Sequence, residues 1–495
     1  MNKANISTRP DRQRPLAPEQ PEKIKVMVVF GTRPEVIKLA PVVEALRQAA
    51  GPGSREVDRA DANAVAFQPV ICFTGQHREM VEPFLEIFDL KPDYDLHVMQ
   101  ENQPLAGLTA RLLVRLDKVL EAEAPDWVIV QGDTTTAMAA SLAAFYRKIK
   151  VGHVEAGLRT EDKYNPFPEE INRRLISHLA DLHFAPTQRA RENLLREGLS
   201  RRAISVTGNT VVDALKMILK KTEESGWGEK LKAKMGEIKK IKAESTTGEK
   251  SGTAMSEARK PGRRGSKETA SWLEAILERG RPSGPKSAPA ARPISSASQA
   301  AAAGVRAGRV ARGDDANPAY DPGARPTKLI LVTAHRRESF GEGMERICQA
   351  ISRVVNRVAE AEVIFPVHLN PNVRSVVLSH LSGIERVHLV EPLDYLTFVY
   401  LMRQADLILT DSGGIQEEAP SLGVPVIVMR DKTERPEAVE AGVTWLGGTD
   451  PQRIERLAVK LLKKVESGEF RHSLKRRNPF GDGHAATRII KRLGT

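Results

Sequence analysis

The sequence predicts an α/β fold built from two doubly wound domains, and three observations lead there. Short apolar runs that read as buried strands recur along the chain. Helix-period stretches separate them, and that alternation describes a parallel sheet covered on both faces. The alternation also stops near residue 222 and resumes at Lys328, so there are two such sets.

Taken in order, Ile24-Lys25-Val26-Met27-Val28-Val29-Phe30 reads as the first buried strand. A helix opens at Pro34, since proline suits a first helical turn. A strand near 67–73, helices near 77–89 and 105–123, a strand near 127–131 and a helix near 134–147 follow. Next come a strand near 150–154, a helix near 168–180 and short strands near 182–185 and 203–206. From 222 to 326 the chain is Lys/Glu-rich and then Ala/Gly/Pro/Ser/Arg-rich. Apart from an amphipathic piece, Ser271 to Glu278, this insert lacks the apolar content to repay ordering, and disorder is expected. Lys328-Leu329-Ile330-Leu331-Val332 restarts the alternation, with strands near 362–367, 386–390, 406–410, 425–429 and 443–446. The domains so read are an N-terminal extension (1–22), a first domain (23–221), the insert (222–326) and a second domain (327–483). A C-terminal helix (484–495) is expected to pack back on the first domain, and a cleft between the two domains is the expected ligand site.

Composition narrows the function classes. The length of 495 residues suits two to four domains. No apolar run is long enough to span a bilayer, and Met1 to Glu22 has no apolar core of the kind a secretory signal needs. Cys72 and Cys348 are the only cysteines. Both fall inside predicted elements, so inert buried thiols and a reducing cytoplasm are expected. The net charge of +12 invites a nucleic-acid reading, but about +8 of it lies between Lys221 and Thr327. That segment is poor in aromatics and mixed in sign, which argues against base stacking, and no nucleic-acid or membrane partner is expected.

The chemistry gathers at strand ends. Gly132-Asp133-Thr134-Thr135-Thr136, Gly152-His153-Val154-Glu155-Ala156-Gly157-Leu158-Arg159 and Pro166-Phe167-Pro168-Glu169-Glu170-Ile171-Asn172-Arg173-Arg174 are each expected just after a strand. In an open α/β sheet, ligands bind outside the carboxyl ends of the strands. Asp133, Glu155 and Glu169 therefore head for one crevice, with His153 and Arg173 beside them, and such a set suits proton transfer. Gly31-Thr32-Arg33-Pro34-Glu35 opens the first helix, where backbone amides and Arg33 suit phosphate and Lys38 follows one turn on. It is not a dinucleotide fingerprint. Asp411-Ser412-Gly413-Gly414 opens another helix, with Ser412 as expected cap, glycines that admit a diphosphate, and Glu418 set for ribose hydroxyls. His335, after a further strand, suits leaving-group or proton-transfer work. Asp93-Tyr94-Asp95 has the Asp-x-Asp form of a metal site but falls in a connection away from a strand end, and no metal is expected.

Together these blocks resemble the non-hydrolysing UDP-N-acetylglucosamine 2-epimerase family, over about residues 24–222 and 328–494. Further motifs that carry the likeness are Gln76-His77-Arg78-Glu79-Met80, Gly208-Asn209-Thr210, His335-Arg336-Arg337-Glu338-Ser339, His368-Leu369-Asn370-Pro371-Asn372 and Thr433-Glu434-Arg435-Pro436-Glu437. The resemblance implies a glycosyltransferase-B-like pair of Rossmann-like domains, a cytoplasmic homodimer and a UDP-sugar substrate. It also implies interconversion of UDP-N-acetylglucosamine and UDP-N-acetylmannosamine for cell-surface polysaccharide synthesis, with no cofactor. Carried onto this chain, it implies Asp133, Glu155 and Glu169 as acid/base groups assisted by Lys38 and His335. Arg33, Arg173, Ser412, Gly413, Gly414 and Glu418 become UDP contacts, and Gln76, His77, Arg336 and His368 a second, regulatory pocket. The chain departs from the family in the long insert, a smaller insert near 51–66 and the N-terminal extension. Rival readings are a 2-epimerase of a UDP-diacetamido sugar, a hydrolysing 2-epimerase and a sugar transferase of the same fold. The hydrolysing family lacks the Pro34-Glu35 pair, and nothing in the sequence identifies the acceptor site that a transferase needs.

Overall fold

The structure is a computed structural model that describes residues 23–49, 65–76, 78–100, 103–224, 328–336 and 339–495. The extension 1–22, nearly all of both inserts, the Ser271–Glu278 piece, and His77 lie outside the described residues.

The N-terminal run is β1 (Ile24–Phe30), α1 (Arg33–Ala49), β2 (Phe67–Phe73), α2 (Arg78–Ile87), β3 (Tyr94–Asp95), α3 (Leu105–Glu123), β4 (Trp127–Gln131), α4 (Thr135–Tyr146), β5 (Lys150–Val154), α5 (Glu169–Leu179), β6 (Leu182–Ala185), α6 (Gln188–Arg196), β7 (Ile204–Val206) and α7 (Thr210–Glu224). The C-terminal run is β8 (Lys328–Thr333), α8 (Glu342–Arg357), β9 (Ala361–Pro366), α9 (Pro371–Leu381), β10 (Val387–Val390), α10 (Tyr395–Gln404), β11 (Leu407–Thr410), α11 (Gly413–Glu418), β12 (Val426–Val428), α12 (Pro436–Glu440), β13 (Thr444–Leu446), α13 (Pro451–Val465), α14 (Gly468–Arg477) and α15 (Ala485–Leu493). Two units result. The first holds the described residues up to Lys221, Pro436–Ala441 and Arg477–Thr495; the second holds those from 222 to Arg435 and Gly442–Arg476.

The first unit carries a parallel sheet in the order β3-β2-β1-β4-β5-β6-β7. Val28 of β1 pairs with Ile71 of β2 on one side and Ile129 of β4 on the other. The strands are apolar on both faces because helices cover both faces. Leu112 and Leu116 of α3 pack with Met27, Val29, Val128 and Val130. Ala137, Ala140 and Ala144 give α4 a small-residue face against the same core. The Thr134 hydroxyl accepts from the Ala137 amide and fixes where α4 begins. The C-terminal segment is part of this unit: the Asn209 amide donates to the Phe480 carbonyl (2.7 Å) and the Ala486 amide to Asp213 Oδ1 (2.9 Å). The buried Ile489, Ile490 and Leu493 of α15 complete it. So does α12, where the Thr187 hydroxyl donates to Glu437 (3.0 Å) and Arg189 pairs with Glu440 (2.9 Å).

The second unit carries a parallel sheet in the order β10-β9-β8-β11-β12-β13. Its core joins Ile330, Val332, Val363 and Phe365 to Ile347, Ile351 and Val354 of α8 and to Ile454, Ala458 and Leu461 of α13. Asp394 and Asp450 cap α10 and α13. Cys72 and Cys348 are buried free thiols, and burial pushes both up to about 12, so both are inert, as expected.

Three sequence expectations are corrected. Tyr94–Asp95 is not a connection but a short parallel edge strand on β2, with Cys72 opposite Tyr94. Two residues are too few to show an alternation signal. The block from Pro166 to Arg174 does not follow a strand directly: it comes well after β5 and opens α5, so Glu169 is delivered by a helix start. Ser412 occupies the N-cap position of α11, but its side chain makes no capping bond.

Candidate active site

Each sheet reverses its strand order beside its first strand, between β1 and β4 in one unit and between β8 and β11 in the other. At such a point the connections leave in opposite directions and open a crevice at the carboxyl ends of the strands. The sequence motifs end up at these exits.

In the first unit, Thr32-Arg33-Pro34-Glu35 has the spacing of a capping box at the start of α1, and Glu35, at the third helical position, reaches back to the Thr32 amide. Glu35 is fully buried, and its Oε2 accepts from the Gly31 amide (2.9 Å), the Thr32 amide (2.8 Å) and the Thr32 hydroxyl (2.8 Å). Its Oε1 accepts from the Thr134 hydroxyl (2.6 Å), so one carboxylate joins the β1 exit to the residue after Asp133. Burial pushes the Glu35 carboxyl up, and the bonds from Thr134, Gly31 and Thr32 offset part of that rise. Gly31 sits tightly over this junction: a Cβ there would lie 2.1 Å from Thr74 Oγ1 and 2.7 Å from Thr136 Oγ1. Gln76 supports the same spot, its Oε1 accepting from the Thr136 hydroxyl (2.8 Å). Arg33 points outward, exposed, its guanidinium 6.0 Å from the Phe84 ring centroid.

Glu155 leaves β5 with φ at +62°, a left-handed conformation that costs a non-glycine residue about 1–2 kcal/mol and is kept where placement matters. Its buried carboxylate accepts from Lys38 Nζ and Asn209 Nδ2 (3.0 Å) on Oε1 and from Gln131 Nε2 on Oε2. Asp133 is gripped by Arg173, whose Nε and NH2 lie 2.9 and 2.6 Å from Oδ2. Asn172 Nδ2 donates to the Asp133 carbonyl (2.9 Å). Arg173 also pairs with the fully buried Glu170 (3.0 Å), so the guanidinium expected at the diphosphate is held between two carboxylates. Glu169 is the first residue of α5, one turn before Arg173 and on the same helix face. Its Oε2 is buried and accepts no hydrogen bond. His153 turns inward instead of joining these groups: it is fully buried, with Nε2 2.8 Å from the Gly132 carbonyl. Burial holds its ring neutral, down to about 3, so Nε2–H donates and His153 supports the Gly132-Asp133 turn from below.

In the second unit, Asp411 lies fully buried at the β11 exit, and its Oδ2 accepts from the amides of His335 and Arg336, both at 2.8 Å. The His335 ring stacks on that of His368, with centroids 5.7 Å apart and planes 20° apart. Arg336 pairs with Glu434 (3.2 Å), which Arg430 also approaches (3.5 Å). Burial pushes the Glu434 carboxyl up, and Arg336, Arg435 and Arg430 more than offset it, holding it below the usual carboxylate range. Ser412 keeps its hydroxyl out of any capping bond, while its amide donates to Thr410 Oγ1 (3.0 Å). A Cβ on Gly413 or Gly414 would meet only ordinary contacts, the nearest at 3.5 and 3.8 Å, and neither residue has a left-handed φ. The protein itself therefore does not need glycine at either place. Glu418 is buried near the end of α11. Asp93 and Asp95 have local structural uses: Asp93 accepts the Ile71 amide (2.7 Å) and Asp95 pairs with Arg78.

Sequence reasoning named the acids but not what holds them. Glu35, Gln131, Asn209 and Asp411 each lay inside or beside a named block without a role. The available signals were the Thr-x-x-Glu spacing at 32–35 and a glutamine ending the otherwise apolar run Trp127–Val130.

The profile of the UDP-N-acetylglucosamine 2-epimerase family matches residues 59–242 and 309–494. The UDP-N-acetylglucosamine 2-epimerase of Escherichia coli K12 is 42% identical over 471 residues, 95% of this chain and 98% of that protein. The Bacillus subtilis 168 enzyme of the same name is 40% identical over 472 residues, 95% of each chain. The crystal structure of UDP-GlcNAc 2-epimerase from Neisseria meningitidis bound to UDP-GlcNAc superposes with a TM-score of 0.66 at 38% identity, covering 95% of this chain and 99% of that one.

Proposed function

This chain belongs to the UDP-N-acetylglucosamine 2-epimerase family, and from that premise we propose that it interconverts UDP-N-acetylglucosamine and UDP-N-acetylmannosamine by eliminating and re-adding UDP. The observation that carries the reading is the set of carboxylates at the β4 and β5 exits and the start of α5. Asp133 is paired with Arg173 and Glu155 with Lys38, while Glu169 has a buried oxygen with no hydrogen bond.

Hydrogen at sugar carbon 2 has no carbonyl beside it to acidify it. Breaking the carbon 1–oxygen bond sends the electron pair to UDP and leaves positive charge on the ring. The carbon 2 hydrogen then becomes labile, and a carboxylate takes it as a proton to give a glycal and UDP. Returning a proton to the opposite face of carbon 2, with UDP re-adding at carbon 1, inverts the centre. Acids on both faces are required, which accounts for more than one carboxylate. The leaving diphosphate is assigned to Arg33 and Arg173 and to the β11 exit, where Ser412 has a hydroxyl to give and Gly413 and Gly414 leave room for phosphate at backbone amides. Glu418 is assigned to the ribose, and His335 to the departing group. Gln76, Arg336 and His368 are assigned to a second, regulatory sugar-nucleotide contact.

Proton NMR in heavy water tests this. Solvent deuterium is expected at carbon 2 as equilibrium is reached from either sugar, and full turnover with the original hydrogen retained overturns the elimination route. Time courses begun from UDP-N-acetylmannosamine read the regulatory assignment. A lag removed by traces of UDP-N-acetylglucosamine supports it, and a linear start that does not respond removes it.

The proposal includes a homodimer. Val114, Phe145, Ile171 and Leu175 are exposed on α3, α4 and α5, which pack in that order and leave apolar surface for a second copy. Light scattering should give twice the 54.5 kDa chain mass, and a monomer mass would count against it. Among the described residues, no helix is long and apolar enough to cross a membrane.

A further inference from the structure

The geometry points to Asp411 as the positioning residue for His335: its buried Oδ1 faces ring Nδ1, holds the proton on that nitrogen and leaves Nε2 as the group that meets substrate. This rests on the proposed part of His335 in UDP departure and adds how the ring is oriented.

Asp411 has its whole side chain inside the protein, and its two oxygens differ. Oδ2 is taken by the His335 and Arg336 amides, which locks the backbone that carries the ring. Oδ1 is equally buried and has no hydrogen-bond partner. A buried carboxylate oxygen left without a donor is costly, so a donor within reach is favoured. His335 Nδ1 lies 3.7 Å from it. That is long for a hydrogen bond, and catalytic bonds often tighten only in the substrate complex.

The neighbours fit this assignment. His368 Nδ1 accepts the Asn370 amide (3.1 Å), so that nitrogen is held as an acceptor. The His368 ring stacked on His335 thus turns its accepting nitrogen to its own loop and offers no carboxylate to the His335 ring. Arg336 is matched by Glu434, with Arg430 beside it, so its positive charge is partly balanced. Among these groups facing His335 from the exits of β8, β9 and β11 and the segment after β12, Asp411 is the carboxylate with an unbonded buried oxygen toward the ring. A histidine in water prefers its neutral proton on Nε2. A neutral ring that carries it on Nδ1 is thus a signature of Asp411, since the partner of one nitrogen decides the tautomer.

The test uses the full chain labelled with ¹⁵N-histidine, with the His335 signals assigned by their loss in His335→Asn. Neutral His335 is expected as the Nδ1–H tautomer in the parent. In Asp411→Asn an amide carbonyl can still accept the two backbone amides, but its NH₂ now faces Nδ1. The ring should switch to Nε2–H, its titration should move down by about one pH unit, and the pH profile of kcat should move with it. Neutral Nε2–H in the parent, or an unmoved titration in a folded Asp411→Asn, would overturn the proposal. If that variant does not fold, the parent tautomer alone decides. Activity of His335→Asn within a few-fold of the parent would remove the catalytic reading of His335 without altering the titration, so the two failures remain distinct.

Discussion

Asp133→Asn, Glu155→Gln and Glu169→Gln are each expected to lower kcat by about 100-fold or more with UDP affinity nearly unchanged, because each removes a group assigned to the proton and not to the nucleotide. The three substitutions are not equally clean. Glu155→Gln removes the negative partner of Lys38 in a pair whose side chains are only 14% and 5% exposed. Breaking a buried pair by neutralising one partner costs about 3–5 kcal/mol, so this variant should also melt earlier. Asp133→Asn leaves Arg173 with Glu170 as a remaining partner, and a smaller loss of stability is expected. Glu169→Gln is the sharpest of the three. Its buried Oε2 accepts no hydrogen bond, so the amide changes charge and proton affinity while losing no contact at that atom. Turnover by NMR, UDP binding by calorimetry and thermal melting together separate chemistry from folding. Turnover within a few-fold of the parent in all three would remove the assignment, and loss of UDP binding in step with kcat would move these acids to the nucleotide.

Most strands were legible because a strand buried on both faces is an uninterrupted apolar run, as in Val26–Phe30 or Leu407–Thr410. The exits were legible because glycine, a cap and a charged residue punctuate such a run, as at Gly132-Asp133 and Asp411-Ser412. What the sequence hid is pairing across distance. Glu35 serves its own helix through Thr32, which spacing reveals, and also Thr134 about a hundred residues later, which spacing does not. The grip of Arg173 on Asp133 and the bond from Asn209 to Glu155 are hidden for the same reason. His153 stood among the acids in the sequence, yet its ring is fully buried against the Gly132 carbonyl, while Glu155, two residues on, leaves the strand at a positive φ that no alternation pattern announces. The placement of α12 in the first unit was equally hidden, because its five residues carry no period long enough to assign a partner.

Gly157→Ala is expected to destabilise the protein by about 2–5 kcal/mol and to lower kcat as well, whereas Gly198→Ala should do little beyond a small loss of stability. Both glycines have left-handed φ values, +90° at Gly157 and +84° at Gly198, so both replacements carry the backbone cost of about 1–2 kcal/mol. Their surroundings differ. A Cβ at Gly157 would lie 2.2 Å from the Ala190 carbonyl oxygen and 2.9 Å from Leu194 Cγ, both on α6, while at Gly198 nothing lies within 4 Å. The clash at Gly157 is with backbone, which has no rotamer to escape into, and overpacking of this kind adds about 1–3 kcal/mol. Relief requires either α6 or the turn to move. The turn is tied to α6 by the bond from Asn193 Nδ2 to the Gly157 carbonyl (2.8 Å), and it begins at Glu155, already held at a positive φ. Movement there displaces the carboxylate from Lys38, Gln131 and Asn209, and a shift of about 1 Å at a reacting group can cost 100-fold in rate. Melting should therefore fall by roughly 10 °C in Gly157→Ala and only a few degrees in Gly198→Ala. Equal melting temperatures for the two would show that α6 yields freely and that steric exclusion does not set the Glu155 turn.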